Sequence, residues 1–77
     1  MITIGKIGRI IRGSEKGWYV KVEPDMSEAK GFYIFYCKNH NFVGGLDEGF
    51  DDWVDSFESL IEYFKDENLE IVWEDGT

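Results

Sequence analysis

Cysteine, histidine and proline each occur once in this 77-residue chain. With Cys37 alone, no intramolecular disulfide can form and the staple common to small secreted domains is missing, which points to a reducing, cytoplasmic setting. Cys37 and His40 have no further Cys or His with which to complete a tetrahedral set, so no zinc site and no cofactor are expected. Long apolar runs are missing too. The opening MITIGKIGRIIRG is broken by glycines and charges every few residues and reads as neither a signal peptide nor a membrane span.

Positive charge is scarce in one half only. The net charge is −8, yet residues 1–43 hold seven Lys/Arg against four Asp/Glu, whereas residues 44–77 hold one against twelve. Such asymmetry makes a directed negative field and disfavours nucleic acid and anionic lipid as partners, since both would be repelled by the dominant surface.

Aromatic residues, at 17% of the chain, are what it has in plenty. A chain this short forms one domain, here residues 1–77. It buries only about 60 to 65% of its unfolded surface, and large rings supply the core that disulfides do not.

The pattern predicts an α+β fold in the order βββαβ, with four mostly antiparallel strands and one helix on a face of the sheet. The first strand spans residues 2–12, with a bulge or bend at Gly5 to Gly8 that would bring Ile2, Ile4, Ile7 and Ile11 to one side. A polar turn from Gly13 to Gly17 leads into Trp18–Glu23, where Trp18, Val20 and Val22 share a face. Pro24 to Gly31 is a second connection. Phe32–Cys37 follows, apolar or aromatic at both parities, so that Tyr33, Phe35 and Cys37 oppose Phe32, Ile34 and Tyr36.

Phe42 to Asp52 has no period and three glycines, and reads as a long irregular loop. Asp55 or Ser56 caps the helix, with Glu58 completing a capping box if Asp55 is the cap. Phe57, Leu60, Ile61 and Phe64 then form one apolar stripe opposite Glu58 and Glu62. Leu69 to Glu74 alternates as a last strand, expected beside the first and parallel to it after a right-handed crossover.

Catalytic chemistry finds no residues to run on. One histidine with Ser/Thr residues in turn, cap and tail positions makes no nucleophile and base arrangement, and the glycines lack the strand-turn-helix context of a phosphate cradle. The carboxylates lack the DxDxDG spacing of a calcium loop. A binding protein, not an enzyme, is the expectation.

The binding candidates are Asp47, Glu48, Asp51, Asp52, Asp55, Glu58 and Glu62, seven acids uninterrupted by Lys or Arg, with Phe50 and Trp53 as apolar anchors. An aromatic anchor with a charged rim is the usual make-up of a protein-protein hot spot, and its partner here would be a basic protein. Two other readings stand beside this one. The two-faced aromatic strand could be covered by a second copy in a homodimer, or the acids could mimic nucleic acid and inhibit a DNA-binding enzyme.

Gly17 to Glu23, Gly31 to Ile34, Gly49-Phe50-Asp51-Asp52-Trp53-Val54 and Ile71-Val72-Trp73-Glu74 together resemble small acidic bacterial proteins that accompany toxin genes. Those proteins are candidate immunity proteins of polymorphic toxin systems. The resemblance implies a cytoplasmic antitoxin that binds a cognate toxin, such as a basic nuclease, and covers its active site with carboxylates.

Overall fold

The computed structural model describes residues 2–40, 42 and 49–74. Among them are five strands and one helix: β1 (Ile7–Arg12), β2 (Tyr19–Pro24), β3 (Phe32–Cys37), β4 (Gly49–Val54), α1 (Phe57–Asp66) and β5 (Glu70–Trp73). The α+β class and the single helix follow the reading of the sequence, but the sheet has five strands instead of four. Its order is β4-β3-β2-β1-β5, and every neighbouring pair is antiparallel.

The added strand is β4, inside the stretch that reads as a loop. Aspartates at 51 and 52 and a glycine at 49 suit a strand poorly by propensity, but an edge position leaves one side of the backbone and both acids in water. Pairing over the full length of β3, from Phe32↔Val54 to Cys37↔Gly49, overrides the local preference.

The same strand changes the direction of β5. A crossover leaving β3 would bring the last strand back parallel to β1; leaving β4 instead, it returns antiparallel to β1. β4 and β5 therefore run parallel to each other at opposite edges, joined by α1. The expected position beside β1 is correct and the expected direction is not.

β1 also begins later than its apolar pattern implies. Ile2 and Ile4 pack on the core from outside the sheet, while Gly8 and Ile10 are the buried residues of the strand, leaving Ile7 and Ile11 at the opposite parity. The expected bend is at Gly5, where φ is 80° and residues 4–6 turn ahead of β1, while a separate register irregularity lies between Ile10 and Arg12, opposite β5. Gly8 serves a packing purpose: a Cβ there would press on Ile71 and on the Trp73 ring, which closes over it.

Ser56, not Asp55, caps α1, because its hydroxyl accepts the Ser59 N–H at 3.1 Å while the Asp55 carboxylate accepts the Ser59 hydroxyl at 2.7 Å. Ser59 thus takes the third helical position, and Glu58 forms no capping box. At the other end Asn68 adopts φ 55°, the Asn68 N–H reaches the Lys65 carbonyl and the Leu69 N–H reaches that of Phe64. This is a Schellman stop, with asparagine accepting the left-handed conformation usually left to glycine.

Ile10, Val20, Val22, Ile34, Tyr36, Leu60 and Phe64 make one buried cluster between α1 and one face of the sheet. The apolar stripe of α1 is wider than that contact. Leu60 and Phe64 are buried, whereas Phe57 and Ile61 remain 47% exposed each. Leu60→Ala should therefore destabilise the protein by about 2 to 5 kcal/mol in urea denaturation, and Ile61→Ala by less than about 1 kcal/mol. Equal losses at the two positions would contradict this packing.

Candidate functional site

Strand alternation divides the candidate residues between two faces. In β4, Asp51 and Trp53 lie on the face away from α1, opposite Phe35 and Tyr33, while Phe50, Asp52 and Val54 lie on the helix side, opposite Tyr36, Ile34 and Phe32. The two proposed anchors are thus on opposite sides of one edge strand. Asp47 and Glu48 lie outside the described residues.

Trp53 is held from three directions. Its ring lies against Gly31, where a Cβ would collide with the indole and with the Val54 carbonyl oxygen, so only glycine admits the ring there. The indole N–H donates to Asp25 Oδ2 at 3.0 Å. Its backbone N–H donates to Asp52 Oδ1 at 3.0 Å. Trp53 remains 39% exposed, beside Tyr33 at 37%, and Tyr33 stacks on Phe35 at 5.7 Å. A fixed, half-open indole of this kind loses little conformational entropy on binding.

Asp25 belongs to this site although the charge run does not include it. Its carboxylate accepts the Ser27 N–H at 2.9 Å in an Asx turn, and the Asp25 N–H meets the Gly31 carbonyl. Hydrogen bonds from the Ser27 backbone and hydroxyl, and then from the Trp53 indole, hold the Asp25 carboxyl below its ordinary pKa, so it is charged throughout the neutral range. The turn-forming Asp-x-Ser was visible in sequence. Its pairing with a tryptophan 28 residues away was not.

Phe50 has a different setting. It stacks on Tyr36 with ring centres 4.5 Å apart and planes at 19°, and meets Trp18 at 5.7 Å, so it extends the core toward the sheet edge. Beneath it the Tyr36 and Tyr63 hydroxyls share a 2.7 Å hydrogen bond. Burial raises the pKa of both. Tyr63 is pushed up to about 12, with the Asp52 and Glu67 charges adding to the effect, and Tyr36 is pushed beyond the ordinary tyrosine range.

Asp55 lies at the corner between β4 and α1, and Glu58 and Glu62 lie on the exposed side of α1. Asp51, Asp52, Asp55, Glu58 and Glu62 are all exposed, and none of them enters an ion pair among the described residues. The acids form a band along the β4 edge, the corner and the helix, not one flat facet. Among the described residues, no three His, Cys, Asp or Glu side chains are grouped where they could hold a metal ion. No helix among them is long and apolar enough to cross a membrane.

The fold and this edge define a small α+β domain with a tryptophan set in a carboxylate surround. Comparison with protein-family models, with curated proteins and with solved structures gives no match to the chain.

The tyrosine pair has a measurable consequence. Because Tyr63 has a folded pKa near 12 against an ordinary 10.0, its contribution to stability is complete below pH 10 and is lost as pH rises toward 12. Urea midpoints should fall across that window, and Tyr63→Phe should flatten the fall. An identical alkaline profile in the variant would assign the loss to other groups.

Proposed function

We propose that this protein is a small acidic binding module of the immunity type, a cytoplasmic antitoxin without catalytic activity that neutralises a basic toxin by covering its active site. The observation that carries the reading is Trp53, held half-exposed on an edge strand with Asp25, Asp51 and Asp52 around it. The negative band from Asp51 through Asp52 and Asp55 to Glu58 and Glu62 steers the partner, Trp53 anchors it, and Asp47 and Glu48 extend the charge along the chain. A basic nuclease suits the reading because carboxylates can take the positions of phosphates.

Phe50 contributes less directly than Trp53. Its stack on Tyr36 makes it a support for the edge, although 47% of it remains open to contact. Steering by clustered charge raises association rates by roughly 10 to 10³ at low salt and fades as the screening length contracts.

The test begins with affinity capture of the partner from the native host, followed by binding kinetics. Neutralising Asp51, Asp52 and Asp55 together to Asn should slow association and flatten its salt dependence, while Trp53→Ala should mainly speed dissociation. An association rate unchanged by the triple substitution at low salt would place the interface elsewhere.

A second reading has its own observation. Tyr33, Phe35 and Trp53 lie together on the sheet face away from α1, a surface that a second copy could cover to make an oligomerising structural domain. Sedimentation at micromolar concentration separates the two: a tight dimer dispersed by Tyr33→Glu supports self-association, and a monomer leaves that face to the foreign partner.

A further inference from the structure

The apolar stripe of α1 overruns the sheet, and its surplus lines a groove. Ile2, Phe57, Ile61 and Phe64 enclose about 400 Å³ along one flank of the helix. A smaller hollow of about 100 Å³ continues from Ile2 and Phe64 past Leu69, Ile71 and Trp73 toward the β5 edge. The two hollows border one another at Ile2 and Phe64, which line both, and the larger is an open apolar groove beside α1. Phe57 and Ile61, at i and i+4, present open side chains at its mouth.

The charge on the two elements that flank the groove, α1 and β5, is one-sided. Between residues 57 and 74 the chain carries Glu58, Glu62, Asp66, Glu67, Glu70 and Glu74 against Lys65 alone. Of these, Glu70 pairs with Arg12 at 3.3 Å, and Glu74 shares a 2.7 Å hydrogen bond with His40. A second copy packing its own α1 into the groove would bring the same acidic helix against this one, so charge disfavours that self-association. An occupant needs apolar side chains for the groove and positive charge for the carboxylates carried by α1.

We propose that this groove docks an amphipathic basic segment of a partner protein, its apolar residues seated between Phe57, Ile61 and Ile2 and its Lys or Arg side chains directed at Glu58 and Glu62. The length is suitable: α1 has ten residues and spans about 15 Å, matching two to three turns of a helix laid along it. The inference rests on the basic partner of the proposed function and adds to the Trp53 edge a second contact on α1.

The test uses the full chain, isotope-labelled, titrated with a synthetic leucine-lysine peptide whose leucines repeat at i, i+3, i+4 and i+7. A permuted peptide of the same composition, without the apolar stripe, is the control. The expected result is saturable shifts of the Phe57, Ile61 and Phe64 amides, with the patterned peptide bound about tenfold more tightly than the permuted one. Ile61→Asp should abolish the shifts, Glu62→Gln should weaken binding severalfold, and Trp53→Ala should leave it unchanged.

Equal binding of the two peptides, or no saturable binding, would overturn the groove without touching the proposed function, which is read from the kinetics of the Asp51, Asp52 and Asp55 variant. Shifts centred on Tyr33 and Trp53 would overturn it in favour of the β4 edge. A dimer that Ile61→Asp disperses would overturn it in favour of a second copy.

Discussion

Burial of Leu60 among Val20, Val22, Ile34 and Ile10 is the contact on which the rest of the molecule depends. α1 is the only helix among the described residues, and a ten-residue helix is marginal by itself in water, so it persists because its apolar side closes one face of the sheet. The sheet depends on the helix in turn. A thin antiparallel sheet with neither face covered has no core, and the five most fully buried side chains, Ile10, Val20, Val22, Ile34 and Leu60, all belong to this layer.

One short helix cannot cover every apolar group of five strands. What it leaves uncovered is the Tyr33, Phe35 and Trp53 side of the sheet and the groove beside Phe57 and Ile61. Both result from aromatic and aliphatic content that exceeds what a single two-layer core can enclose. In a larger domain a second helix or a second sheet would bury those residues.

The charge distribution interacts with this geometry at the edges. An open edge strand invites pairing with another chain, and β4 meets that hazard with consecutive aspartates that point to opposite faces, one of which also occupies the N–H of Trp53. Two copies of β4 laid antiparallel would set aspartate near aspartate. The same carboxylates that would set like charges together in self-pairing give this edge a negative field, so both effects have one physical origin.

The alternation of Trp18, Val20 and Val22, the two parities of Phe32 to Cys37 and the period of Phe57 to Phe64 were legible in the sequence because each is a local repeat of side-chain direction. Those repeats were enough for the α+β class, the position of the helix, the faces of β2 and β3 and the acidic character of the second half. β4 was not legible, because the aspartates and glycine of Gly49 to Val54 oppose a strand locally and only six paired positions on β3 outweigh them. The direction of β5 followed from that strand and was lost with it. The sequence by itself determined which residues could be a binding surface, since charge and aromatic content are properties of composition. Only the tertiary structure decided that Trp53 and Phe50 part to opposite faces, that Asp25 joins Trp53 across 28 residues, and that Phe57 and Ile61 stay open, because each depends on which strand lies at the edge and how far one helix can reach across it.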